Sequence, residues 1–221
     1  LKKEAPKYIM EEQKIKGSST RYFYHDIFTN GIDPGREPFT IWNIDHFIFQ
    51  QWLTDAYFWQ LYLIGGTLMV IVAVTVQSFV MNWLMYRVLL LVSDNNKELS
   101  TIITFIYSLY AAEYMVTRPE VTSFTVLLLV LYSLLKYSST SKAVYLLFVP
   151  VTSILEINLH SSLWALPLAV ILLFMIFRGQ YIYKRLPVFV SFVAYVLCGF
   201  INPYTYRAIL YPIFHFYPKH A

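Results

Sequence analysis

The sequence predicts an all-α protein: a multi-pass transmembrane helical bundle of about six spans, with an N-terminal extracytoplasmic segment and an interfacial helix. Three observations predict this. Only 14% of the 221 residues are charged and 57% are hydrophobic, whereas soluble domains carry roughly a quarter charged residues. Apolar runs recur at about 65–92, 99–115, 121–136, 143–157, 160–177 and 186–202. Most basic residues beyond the N-terminal part flank those runs, as membrane connectors do.

Residues 1–64 are read as an extracytoplasmic loop and an amphipathic interface helix, and residues 65–221 as the transmembrane domain. The loop-like part contains TNGIDPGREP, rich in turn residues. From Asn43 to Leu63, Asn43, His46, Gln50, Gln51, Thr54 and Asp55 fall on one half of a helix. Phe49, Trp52, Ala56, Trp59 and Leu63 fall on the other, while Phe47 and Phe58 break the pattern. Such a helix lies in a membrane interface. The glycine pair at 65–66 reads as a turn before the first span.

Several of the later runs are short. At 1.5 Å per residue, a run of about 15 residues reaches about 23 Å, less than the roughly 30 Å hydrocarbon core. Their connectors then sit below the membrane surface, where irregular backbone needs protein or a watery cavity around it. The chain begins at Leu1, and LKKEAPKYIMEEQKIKGSST has no apolar signal core, so it is read as a piece of something longer.

Charge sets the orientation. Arg87, Lys97, Lys136, Lys142, Arg178, Lys184 and Arg185 lie on one set of connectors, which the positive-inside rule assigns to the cytoplasm. Arg118 and Arg207 lie on the opposite set, with Lys219 in the tail. A net charge of +4 distributed in this way does not point to nucleic acid. The single cysteine, Cys198, excludes an internal disulfide and a multi-thiolate metal site.

Counting spans then brings Arg118, Glu120, Glu156, Asn158, His160, Asn202, Tyr204 and Arg207 to one side, beside the interface helix with Gln51, Trp52 and Asp55. Ionisable groups at membrane depth are costly and are functional candidates by default. Each also has a plainer reading. Arg118 and Glu120 would be interface charges around a helix-starting Pro119. Asn158 and His160 would be hydrogen-bond glue between helices. NPY at 202–204 would be a helix stop. Asp55 and the glutamines would form a solvated face, and Glu113 would reach outward to water. Nucleotide loops, nucleophile elbows and paired zinc histidines are absent from the sequence, as is any defensible internal repeat.

The order of five stretches resembles the bacterial GT-C superfamily of integral membrane glycosyltransferases. They are DIFTNGIDPG at 26–35, FQQWLTD at 49–55, TRPEVTSF at 117–124, INLHSSLW at 157–164 and INPYTYRAILYP at 201–212. The chain departs from the family pattern at His160, which is followed by Ser-Ser rather than Gly-Gly. It departs again at Gln51, where many relatives have Glu. The resemblance implies transfer of a sugar from a polyprenyl-phosphate donor to a glycan, lipid or protein acceptor, on the outer face of the cell membrane. It implies acids that serve catalysis, here Asp26, Asp33 and Asp55. It also implies residues that bind the donor phosphate or the substrate, here Arg118, Glu120, Asn158, His160, Asn202, Tyr204 and Arg207. Some relatives use a divalent metal and others do not, and no metal ligand set is assigned here. The competing readings are a transporter or flippase of an amphiphile, and a non-catalytic subunit that keeps the GT-C-like fold.

Overall fold

A computed structural model of the protein describes residues 51–112, 119–178 and 182–215. Every regular element among them is a helix, so the fold is all-α, as predicted. Asp26, Asp33, Glu113 and Arg118 lie outside the described residues, as does the part of the interface helix before Gln51. The chain divides between Phe49 and Gln50, and the unit described is Gln50–Ala221.

The first helix, α1, spans Trp52–Val92 but is broken at Gly65 and Gly66. Gly66 has φ 61° and ψ −154°, a conformation open essentially to glycine alone. The glycine pair thus separates two helical stretches, where the sequence reads a turn before the first span. Residues 67–92 beyond the break reach about 39 Å, enough to cross a hydrocarbon core. Asp94 and Asn95 then take left-handed conformations and turn the chain. Asn96 caps α2 (Lys97–Ala111) by accepting a hydrogen bond from the Leu99 amide at 3.0 Å.

Pro119 opens α3 (Pro119–Thr140), the helix position best suited to a residue without an amide hydrogen. A 3-10 turn (Ala143–Leu147) leads into α4 (Phe148–Leu159), and a second (Ser161–Leu163) leads into α5 (Ala165–Arg178). Helices α6 (Ile182–Cys198) and α7 (Tyr206–His215) complete the series.

Side-chain bonds fix the register of the first three helices. Gln77 donates to Thr122, and Arg87 donates to the Tyr132 hydroxyl, so α1 and α3 run parallel. Ser108 donates to Asn82 at 2.6 Å, so α2 runs back along α1 in the opposite direction. Met81, Leu84, Val88, Ala111, Val121 and Leu128 form the shared core. Helix α4 packs between α3 and α6.

Two helices, Trp52–Val92 and Glu120–Thr140, are long and apolar enough to cross a membrane. Ala143–Leu159, Ser161–Phe177 and Arg185–Cys198 are apolar but shorter. Leu68 is 71% exposed, Phe79 71% and Phe177 77%, and many other large apolar side chains also face outward. An apolar surface of that extent belongs against lipid or another chain. The protein is thus suited to membrane association.

Candidate polar site at a helix break

Helix α4 stops at His160, whose φ of −159° and ψ of 75° leave the helical region. The chain re-enters helix at once through Ser161–Leu163. The break therefore falls within an apolar stretch, where freed backbone groups need internal partners. They have them. The His160 amide donates to the Glu156 carbonyl at 2.8 Å, and the Leu163 amide to the His160 carbonyl at 3.1 Å. The Leu159 carbonyl accepts from the Thr54 hydroxyl of α1 at 2.7 Å. Thr54 is 2% exposed. Thr54→Val keeps the shape but strands that carbonyl. It is expected to destabilise the protein by about 1–3 kcal/mol, read as a lower thermal midpoint in detergent, while Thr54→Ser holds near the parent value.

Asn158 ties three elements together. Its Oδ1 accepts from Trp52 Nε1 at 3.2 Å. Its Nδ2 donates to the Ile154 carbonyl at 2.7 Å and to the Ile201 carbonyl at 2.9 Å. Both amide hydrogens are thus engaged within the protein. Asn158 acts as a strut, joining the N-terminal end of α1 and the turn after α6 to the end of α4.

His160 is buried and pairs through Nδ1 with the Ser123 hydroxyl of α3 at 3.0 Å. Its Nε2 has no hydrogen-bond partner among the described residues. Glu120, one turn before Ser123 on α3, lies near enough for its charge to act on the ring. Its Oε2 is buried and lacks a hydrogen bond.

Glu156 is fully buried, and neither carboxylate oxygen has a hydrogen-bond partner. The Ser123 hydroxyl lies beside the carboxyl and also pairs with His160. The hydroxyl of Ser161, also buried, is unpartnered too. Unsatisfied buried groups of this kind cost free energy, which makes the cluster a candidate site.

The floor beneath this cluster is rigid. Trp164 Nε1 donates to Ser153 at 2.8 Å, and Ser153 donates to the Tyr195 carbonyl at 2.6 Å. The Tyr195 hydroxyl donates to the Trp164 carbonyl at 2.9 Å. The Trp164 and Tyr195 rings stack with centroids 5.3 Å apart.

The other residues expected at the site divide into two groups. Trp52, Glu120, Asn158 and His160 come together at the break, and Gln51 and Asp55 lie half-buried around Trp52 at the start of α1. Tyr204 is buried in the turn before α7, and α7 packs on Ser161–Leu163. Asn202 closes its own turn: it donates to the Gly199 and Thr205 carbonyls and accepts from the Tyr204 amide. Arg207 is exposed. Ser123 and Thr54 were not among the expected residues, although both lie within the stretches quoted above. Glu156 was placed in the polar layer without a role. Among the described residues, no three His, Cys, Asp or Glu side chains converge as a metal site.

No protein family, curated protein or solved structure matches this chain.

Proposed function

We propose that the protein is a multi-pass membrane glycosyltransferase of GT-C type. It would transfer a sugar from a polyprenyl-phosphate donor to a glycan, lipid or protein acceptor on the extracytoplasmic face of the bacterial cell membrane. One observation carries this reading. Four stretches that resemble the family's motifs, far apart in sequence, are joined at one helix break. Trp52 of the first bonds to Asn158 of the third, Asn158 to Ile201 of the fourth, and Ser123 of the second to His160 of the third. The remaining stretch, with Asp26 and Asp33, lies outside the described residues.

In the reaction, the acceptor hydroxyl loses its proton to a carboxylate while its oxygen bonds to the sugar's anomeric carbon. The bond from that carbon to the phosphate breaks, and the lipid phosphate leaves with the electron pair. Asp26, Asp33 and Asp55 are the acids proposed for the proton, and Asp55 alone of these is on a described helix. His160 offers Nε2, and Arg118 a two-pronged guanidinium, to the departing phosphate. Burial beside an aromatic interface helix suits a donor that arrives from lipid.

Native mass spectrometry of protein purified gently from its own membranes tests the reading, together with a transfer assay using polyprenyl-phosphate-linked sugar. His160→Ala is expected to lose the retained polyprenyl phosphate and to lower transfer by about 10²-fold or more. Movement of the lipid across vesicles without a new glycosidic bond would favour the flippase. The non-catalytic subunit draws its support from Asn158 and Asn202, whose amides are engaged within the protein. Bulk phospholipid held equally by parent and variant, with no transfer by either, would select it.

A further inference from the structure

A second feature lies at the other end of α1 and α3. Ser123 and Lys136 are separated along α3 by about 20 Å, so this feature is remote from the helix break. A cleft of about 250 Å³ is lined there by Trp83, Arg87, Leu90, Leu91, Asn95 and Lys136, among others. No Asp or Glu lines it.

Its two cations are held in place but not neutralised. The Arg87 guanidinium lies 5.5 Å from the Trp83 ring centre and 5.8 Å from that of Tyr132. It also donates to the Tyr132 hydroxyl at 3.4 Å, a long bond. Lys136 Nζ lies 6.0 Å from the centre of the same Tyr132 ring. Neither cation has a carboxylate partner among the described residues. Both are half-buried, with their stems against apolar neighbours. One aromatic ring thus holds an arginine and a lysine toward the same small, partly apolar cleft. An arginine fork beside a lysine is the arrangement that recognises phosphate.

We infer that this cleft binds the phosphate headgroup of an anionic membrane phospholipid. Two features favour a lipid over a free anion. Half of the named lining, Trp83, Leu90 and Leu91, is apolar. Trp83, which lines the cleft, is itself 46% exposed, and Phe79, one helical turn before it on α1, is 71% exposed, so acyl chains have an outward apolar surface to follow. The volume suits a headgroup and not a whole drug-sized ligand. Arg87 and Lys136 also belong to the set of basic residues assigned to the cytoplasmic side, where anionic lipids attract such groups. The inference does not depend on the glycosyltransferase reading.

The test uses the whole protein in detergent and follows thermal stability during titration with phosphatidylglycerol, phosphatidylcholine or inorganic phosphate. Phosphatidylglycerol is expected to raise the midpoint at lower concentration than phosphatidylcholine. In Arg87→Gln/Lys136→Gln its apparent affinity should fall roughly thirtyfold, the value of two basic contacts at a membrane surface. Lys136→Gln alone leaves the Arg87–Tyr132 bond intact and should give part of that loss, which covers failure of the double variant to fold. Equal responses to the two lipids, or an unchanged response in Lys136→Gln, would overturn the inference. So would inorganic phosphate matching phosphatidylglycerol at equal concentration, since the cleft would then be a free-anion site. Retained transfer or lipid-carrier binding in these variants would keep this result separate from the helix-break site.

Discussion

Gly199→Ala is expected to lower the stability of the protein by crowding a fixed aromatic ring. A Cβ at position 199 would lie 2.6 Å from Trp164 Cζ2 and 2.9 Å from Cε2. The indole has no room to retreat. Its Nε1 is bonded to Ser153, its face is stacked on Tyr195, and its carbonyl accepts from the Tyr195 hydroxyl. Overpacking in a fixed core costs about 1–3 kcal/mol, and here relief would break a buried bond as well. Cys198, the single thiol and only partly accessible, provides the readout next door. A thiol-reactive dye followed during heating should report unfolding several degrees earlier in the variant. Gly65→Ala serves as the comparison: its Cβ would come no nearer than 3.0 Å, to Met69 Cβ, and would meet no ring. An unchanged midpoint in Gly199→Ala would mean that Trp164 is not held as described.

Glu156→Gln is expected to separate function from stability. The side chain is fully buried, and neither oxygen has a partner. Glutamine keeps the shape and removes the charge, and a buried charge without a partner is costly. The thermal midpoint should therefore hold or rise. Under the proposed function, transfer should fall by about 10²-fold or more, because the carboxyl sits beside the Ser123 hydroxyl that holds His160. Activity against the lipid-linked donor and the thermal midpoint are measured on the same preparation. Parent-level transfer with a lower midpoint would make Glu156 a structural residue and remove it from the site.

The helix break was legible in advance because an apolar run that contains a carboxylate, an asparagine and a histidine within a few positions is expensive to bury. The start at Pro119 and the break at Gly65–Gly66 were legible for local reasons: each residue type suits one backbone geometry. The pairing of His160 with Ser123 was not. It depends on the rotation of α3 about its own axis relative to α4, and nothing within either segment specifies that rotation. Thr54 was concealed similarly. On a helical wheel it belongs to the polar face with Asp55, yet it is 2% exposed and bonded to a backbone carbonyl more than a hundred positions away. Asn202 was misleading in another way. A polar residue before proline at a span end resembles a ligand-binding group, but its amide is used in closing the turn that carries it. Nothing in the sequence marks Gly199 among 7 glycines, because the close approach belongs to the Trp164 ring.

The Asn158 strut also has a consequence for biosynthesis. Its bonds to Trp52 and to the Ile201 carbonyl reach 106 positions back and 43 positions forward along the chain. A nascent chain released from the ribosome only as far as α5 would already hold α1 against the end of α4. It would still have one amide hydrogen of Asn158 unpaired. The arrangement is completed only when residue 201 has emerged and α6 has docked, so the polar cluster is among the last parts of the protein to mature.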